Sequence, residues 1–197
     1  MQSERELLEN ERDSWNRRYT DGAHASFEPD PFCLSAYEDF VNPLLPDAGV
    51  ALDVAGGTGR HAIWLAELRW KVTVVDISQV AFEKAQKKAE ERGVQIDFLV
   101  RDLTSWSPDR KKYDLLLVFY YLQRDLFPAL EAALKPGGLL VYKSYTEEQK
   151  RFRGGPSHPE YLLRENELLH AFPNMRILQY RETIQDKGVA ELVALKK

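Results

Sequence analysis

One stretch, Val50 to Ala66 (VALDVAGGTGRHAIWLA), constrains this chain more than any other: an apolar run ends in an acid and breaks into glycines before a helical pattern begins. Val50, Ala51, Leu52 and Val54 are too few for a buried helix and are bounded by turn residues, the pattern of a central parallel strand covered on both faces. Asp53 falls at the carboxyl end of that strand. In open α/β sheets ligands bind at this end, because the loop to the next helix opens a crevice there. Gly56, Gly57 and Gly59 have no Cβ, so the turn admits backbone angles closed to other residues and lets a ligand lie against the main chain. Strand, glycine turn and helix together point to a cofactor site.

Two cofactor classes use such a turn. Gly57-Thr58-Gly59-Arg60-His61-Ala62 satisfies the G-x-G-x-x-G/A fingerprint, in which a pyrophosphate rests on a helix N-terminus. Asp53, just ahead of the glycines, would repel a pyrophosphate but suits an ammonium group, such as the amino-acid end of S-adenosylmethionine. At these residues the chain resembles the class I S-adenosylmethionine-dependent methyltransferases, whose first motif runs acid, two residues, then spaced glycines. Ala55 stands where the usual D-x-G-x-G-x-G pattern has its first glycine, and Gly57 and Gly59 hold the later two. The resemblance implies cofactor contacts from Asp53, Ala55, Gly56, Gly57 and Gly59.

The rest of the chain alternates strand and helix, which argues for a parallel sheet. Strands are expected at Lys71 to Val75, Gln95 to Val100, Tyr113 to Phe119 and Leu139 to Ser144. The intervening helices are Ser78 to Arg92 and Asp125 to Leu134. Met175 to Tyr180 and Val189 to Lys196 flank a turn near Asp186-Lys187-Gly188 and read as a closing antiparallel hairpin. Ahead of the central strand, an amphipathic helix is expected over residues 3 to 18, with Leu7, Leu8 and Trp15 apolar, and a second over Phe32 to Leu45. The fold class is therefore α/β, a Rossmann-like three-layer sandwich: a seven-stranded, mostly parallel sheet with one antiparallel strand and helices on both faces. It is read as one domain, residues 1–197. Residues 1–48 form an N-terminal helical cap, 49–145 a cofactor-binding core, and 146–197 a lid loop, helix and closing hairpin.

An acid ends each of the first three strands, Asp53, Asp76 and Asp102, 23 and 26 residues apart. Carboxylates accept hydrogen bonds, and ribose hydroxyls and an adenine amine donate them. Asp76, on the neighbouring strand, can accept from both ribose hydroxyls, as the acid about 20 residues past the glycines does in dinucleotide folds. Asp102 resembles the family residue that accepts from the adenine amine, with Ile77 and Leu103 as apolar walls. The alternative for these aspartates is N-capping of the following helices. Trp15 to Tyr19 (W-x-R-R-Y) resembles an N-terminal element of small-molecule methyltransferases, including the tellurite-resistance TehB-like group, that folds over the cofactor; equally, Trp15 and Tyr19 can be core contacts of a capping helix. Phe119-Tyr120-Tyr121-Leu122 lies where the family meets the methionine portion and the methyl group. Leu134 to Leu140 (LKPGGLL) resembles the glycine turn before the family's fifth strand.

Other classes are set aside on composition. A net charge of -4 spread along the chain advertises no nucleic-acid or membrane surface. Cys33 is the only cysteine and the four histidines lack paired spacing, so neither a disulfide framework nor a metal site is expected. No stretch approaches the ~20 apolar residues of a membrane span and the N-terminus is too charged for a signal peptide, which suits a reducing cytoplasm. The fourth strand ends without the acid-or-Asn, Pro-Pro-aromatic signature of nucleic-acid amino methyltransferases, and Cys33 lies outside a cytosine-methylation motif. Lys143, Tyr145, Lys150, Arg151, Arg153 and His158 surround Gly154-Gly155-Pro156. They form either a cationic loop that closes over an anionic substrate or a solvated surface loop.

Candidates for the transfer step are Tyr120, Tyr145 and Arg153. His61, on the first turn of the central helix, is expected to pack or cap. The TehB-like resemblance implies a small, soft nucleophile, such as a tellurium or selenium oxyanion or a thiol. An NAD-dependent oxidoreductase and a non-catalytic S-adenosylmethionine-binding domain are the competing readings, and monomer and homodimer stay open.

Overall fold

The computed structural model describes residues 4–22 and 26–197, with side chains of the first helix from residue 11 onward. Leu7, Leu8 and His24 therefore have side chains outside the described residues. Seven strands form one sheet: β1 (Val50–Val54), β2 (Lys71–Asp76), β3 (Asp97–Val100), β4 (Tyr113–Phe119), β5 (Leu134–Tyr145), β6 (Met175–Thr183) and β7 (Val189–Lys196). Their order is β3-β2-β1-β4-β5-β7-β6. Only β7 runs against its neighbours, pairing antiparallel with both β5 and β6. The expected mostly parallel sheet with one antiparallel strand is what forms, although β3 begins two residues later than the sequence suggests.

Alternation along the strands builds two cores. Leu116 and Val118 of β4 join Leu52, Leu140 and Tyr142 on one face, under α6 (Phe127–Ala133) and α7 (Glu167–His170). Leu115, Leu117 and Phe119 join Ala51, Val74 and Val141 on the other. That face is covered by α4 (Arg60–Glu67) and by α2 (Pro31–Ala36) with its continuation. Period-two burial on both sides makes these strands read as continuous apolar runs. α5 (Gln79–Arg92) presents Ala81, Ala85 and Ala89 inward and is capped by the Ser78 hydroxyl, which accepts the Ala81 N–H at 3.1 Å.

Two irregularities were not legible as such. The second helix is not uniform: α2 passes through a π-type turn at Tyr37–Val41 before α3 (Asn42–Leu44). The Asn42 N–H bonds five residues back, to the Tyr37 carbonyl. Pro43 explains the widening, since its ring presses on the carbonyl four residues earlier and it has no N–H to continue the ladder. Lys135-Pro136-Gly137-Gly138 is a loop-out within β5 rather than a separate turn. Tyr113 pairs with Leu134 and Leu115 already pairs with Leu139, so the chain spends five residues against two, with Gly137 at φ 81. No described helix is long and apolar enough to cross a membrane.

α1 (Glu4–Thr20) lies against α5. Its Asn16 side-chain Oδ1 accepts from the Ser78 hydroxyl at 2.7 Å and from the Val80 N–H at 3.4 Å, and Lys84 Nζ donates to the Tyr19 backbone carbonyl. The N-terminal helix is thus latched to the start of α5, directly above the glycine turn.

Candidate active site

The site forms where β1 and β2 end. Asp53 shares the strand face of Ala51, so it points under the start of α4 and is completely buried. Neither carboxylate oxygen has a hydrogen-bond partner. His61 Nδ1 is 3.9 Å from Oδ2, too far to satisfy it. Burial pushes the Asp53 carboxyl up to about 7; the Arg60 guanidinium works against this, Asp76 adds to it, and the Ala62 amide offsets it slightly. A buried carboxylate without partners costs several kcal/mol when ionised, so such a group persists where something positive is to be met. The donor it lacks has the chemistry of an ammonium group.

The turn itself is tight. Ala55, Gly57 and Gly59 all have positive φ, at 53, 55 and 72 degrees. Ala55 therefore stands in the conformation that explains the family's glycine at its position, and its Cβ costs about 1 kcal/mol there. A Cβ on Gly56 would come 2.7 Å from the Asp53 carboxyl carbon, and one on Gly57 would meet the Tyr19 hydroxyl at 2.4 Å. Tyr19 is buried against this turn and tilted onto Trp15 at 5.8 Å between ring centroids. Burial and the nearby Asp76 raise its phenol pKa, so it stays a neutral hydroxyl. Tyr19 is thus packed on the glycine turn, with Trp15 against it.

Asp76 accepts the Gly57 N–H through Oδ2 and the Ser78 N–H through Oδ1, each at 2.9 Å. Burial raises its pKa while these amides and that of Ile77 lower it. The carboxylate thus braces the glycine turn from the adjacent strand, while the N-cap of α5 is Ser78 rather than Asp76. A crevice of about 10 Å³ runs beside it, lined by Gly57, Asp76, Ser78, Phe82, Phe98 and Val100. Asp102 closes an Asx turn, its Oδ1 accepting the Thr104 N–H at 2.9 Å, and Leu103 is buried beside it while Ile77 is half-buried. Asp76→Ala should weaken S-adenosylhomocysteine binding about tenfold, the cost of unpairing the Gly57 amide and its ligand partner. Titration calorimetry checks this, and an unchanged affinity would place the ribose elsewhere.

At the end of β4 lies a second group that sequence reasoning mostly missed. Tyr120, at φ 59, donates its hydroxyl to Asp30 Oδ2 at 2.9 Å. Asp30 Oδ1 accepts from Lys143 Nζ at 2.8 Å and from the Phe32 N–H at 2.9 Å. Burial alone would raise the Asp30 carboxyl, but Lys143, the Phe32 amide and the Tyr120 hydroxyl hold it below the usual carboxylate range. Lys143 also reaches Glu191 of β7 at 3.1 Å, and Glu191 is held in turn by Arg181 at 2.6 Å. The Asp30 N–H donates to His61 Nε2 at 3.2 Å. His61 is buried 4.2 Å from the Phe119 ring, and burial, with Arg60 second, pushes its pKa down to about 3, so it is neutral. It packs and accepts, as expected, and Phe119 is taken up in packing with His61 and Phe32.

For the loop around Gly154-Gly155-Pro156, which carried two readings, the described contacts do not gather its cations at one place. Lys143 is a buried structural cation, Arg151 pairs with Glu148 at 2.5 Å, and His158 lies 3.5 Å from Glu160. Arg153 is exposed and makes no contact with the Tyr120 group. Tyr145 does, at 4.9 Å between ring centroids. The cations that face Tyr120 besides Lys143 are Arg60 at 5.9 Å and Lys187 at 6.0 Å from its centroid. No local sequence signal tied the β6–β7 turn to this place. Among the described residues no cluster suited to a metal ion occurs.

Residues 51–138 match the family model described as a methyltransferase domain. YqeM of Bacillus subtilis (strain 168) is 30% identical over 112 residues, 52% of this chain and 45% of its own length. A ubiquinone biosynthesis O-methyltransferase of Methylocella silvestris is 29% identical over 117 residues, 57% of this chain and 46% of its own. A protein of Arabidopsis thaliana named for thiol methyltransfer is 28% identical over 174 residues, 80% of this chain and 74% of its own. The chain thus spans about half the length of the first two of these relatives. TehB from Haemophilus influenzae shares the fold at a TM-score of 0.70 and 17% identity, over 91% of this chain and 66% of TehB. Magnesium protoporphyrin IX methyltransferase from Synechocystis shares it at 0.72 and 17%, over 96% and 99%. The acid-and-glycine turn, the strand order and the methyltransferase domain matched over residues 51–138 agree, and the chain is similar in fold to S-adenosylmethionine-dependent methyltransferases.

Proposed function

We propose that this chain binds S-adenosylmethionine and methylates a small, soft nucleophile that reaches the site as an anion, a thiolate or a selenium or tellurium oxyanion. The observation that carries the cofactor assignment is Asp53, buried without a partner at the end of β1. Its carboxylate is the counter-charge for the amino group, Gly56 and Gly57 offer main chain to the methionine portion, Asp76 the ribose acceptor, and Asp102 with Ile77 and Leu103 the adenine edge. When bound, the cofactor supplies a methyl group on a sulfonium, already electrophilic, so the protein's work is positioning and exclusion of water. Tyr19 and Trp15 serve exclusion: because the Tyr19 hydroxyl lies on Gly57, entry and closure are coupled to movement of α1.

The nature of the acceptor follows from what surrounds Tyr120. Among the described side chains there, none is set to take a proton. The Tyr120 hydroxyl already donates to Asp30 and burial raises its pKa; burial also raises that of Tyr145. His61 has its free nitrogen lone pair occupied by the Asp30 amide. A nucleophile that needs no base suits this site, consistent with the similarity to a protein named for thiol methyltransfer and to TehB. The buried, unpaired Cys33, whose thiol is pushed up by burial, accords with a reducing cytoplasm and takes no part in the chemistry.

Calorimetric titration with S-adenosylhomocysteine beside NAD and NADH tests the cofactor. Micromolar binding of the first alone is expected, and binding of a nicotinamide would overturn the assignment. Methyl transfer to mercaptoacetate, selenite or tellurite then tests the acceptor class; transfer to none of them would remove it.

A further inference from the structure

Two of the three cations around Tyr120 have no ion-pair partner among the described residues. Lys143 is neutralised between Asp30 and Glu191, and Glu191 is shared with Arg181. Summed over these four groups the charge is zero. Arg60 and Lys187 have no carboxylate within ion-pair distance among the described residues, yet both are directed at one ring. Arg60 comes from the first turn of α4, and Lys187 from the β6–β7 turn. Each cation lies about 6 Å from that ring's centroid, so an anion held beside the ring has positive charge within reach from two separate elements.

The turn that carries Lys187 is also held in place. The Gly188 N–H donates to Gln149 Oε1 at 3.0 Å, and the Gly188 carbonyl accepts the Thr146 N–H at 3.0 Å. Gln149, 3% exposed, uses its Nε2 to reach the Gly154 carbonyl at 2.8 Å. A Cβ on Gly188 would collide with the Gln149 backbone nitrogen, so only glycine lets the turn seat this closely. A solvated hairpin tip needs no such clamp.

We infer that Arg60 and Lys187 are the specificity-determining residues for the acceptor, gripping its negative charge above the fixed ring of Tyr120, and that Gln149 is the positioning residue that brings the β6–β7 turn to the site. The ligand class is a small molecule with a carboxylate, thiolate or chalcogen oxyanion. This rests on the methyltransferase reading above, and its test reads binding rather than turnover.

S-adenosylhomocysteine affinity is measured first on each variant. Selenite and mercaptoacetate are then titrated into the saturated complex at constant ionic strength, followed by intrinsic fluorescence and thermal shift, with neutral 2-mercaptoethanol as control. At least one anion is expected to bind saturably and the neutral thiol not. Lys187→Gln and Arg60→Gln should each weaken the anion about tenfold, as loss of a charge-assisted contact does. Lys187→Arg should retain it, and Gln149→Ala should follow Lys187→Gln. S-adenosylhomocysteine affinity should stay within about twofold in Lys187→Gln and Gln149→Ala. Absence of saturable anion binding, or binding indifferent to Arg60→Gln and Lys187→Gln, overturns the clamp. Should S-adenosylhomocysteine itself not bind, the cofactor reading fails, and the same titrations on the free protein still decide the clamp.

Discussion

Asp53→Asn is expected to make the ligand-free protein more stable while lowering its affinity for S-adenosylhomocysteine by about two orders of magnitude, roughly 3 kcal/mol. The opposite signs come from one group. In the free protein the carboxylate is wholly buried and has no close hydrogen bond, only a weak approach from the Ala62 amide, so burial pushes it up to about 7. Since its folded pKa exceeds the ordinary unfolded value, the folded state binds the proton more tightly. The contribution of this one group to stability is therefore greatest below about pH 4, is lost as pH rises through about 7, and stays lost above. Asparagine removes the charge and with it part of that penalty, a gain at pH 8 of about 1–2 kcal/mol or roughly 3–6 °C in Tm. Binding runs the other way: an ammonium ligand requires the ionised form, so wild-type affinity should climb from pH 6 to pH 8 and that of Asp53→Asn should not. Differential scanning calorimetry and titration calorimetry across this range check both. Loss of stability together with loss of binding would mean that Asp53 is structural.

Lys143→Met should be the more damaging substitution for the fold, costing about 3–5 kcal/mol, or roughly 10 °C in Tm. Lys143 is 8% exposed and lies between two buried carboxylates, Asp30 and Glu191, contributed by the segment before α2 and by β7. Removing it leaves Asp30 with only the Phe32 amide and Tyr120 hydroxyl, and Glu191 with only Arg181. The sign can be checked internally. Changing Asp30 and Glu191 to Leu along with Lys143→Met should recover most of the loss, because apolar groups of similar volume have no desolvation to repay. A triple variant no better than Lys143→Met would show that packing, not charge, dominates. Chemical denaturation of the three proteins measures it.

The strand order and the cofactor turn were readable because each rests on local pattern: period-two burial marks β1, β2, β4 and β5, and glycine spacing marks the turn. Asp53, Asp76 and Asp102 were legible as strand-end acids for the same reason. What could not be read was placed by long-range pairing. Lys143 looked like one of several loop cations, yet β5 carries it beside a residue 113 positions earlier. Lys187 looked like a hairpin tip, and only the seating of Gly188 on Gln149 brings it to Tyr120. Asn16, which latches α1 to α5 through Ser78, gave no signal because an exposed-looking amide in a charged helix resembles every other. The π turn gave no separate signal, because Pro43 fell within the single helix expected over Phe32 to Leu45.

The position of β7 bears on how the chain reaches this state. It is the last of the seven strands in sequence and yet lies inside the sheet, with β5 on one side and β6 on the other. Until it is synthesised, β5 has an open hydrogen-bonding edge, β6 has no partner, and Lys143 and Asp30 lack Glu191. Assembly of this half is thus deferred until β7 has been synthesised, while β1 to β4 and their helices can already pair. A nascent chain stalled before Val189 should therefore be protease-sensitive over residues 134–183 and offer β5 to any chain able to add a strand, the hazard of an unfinished edge.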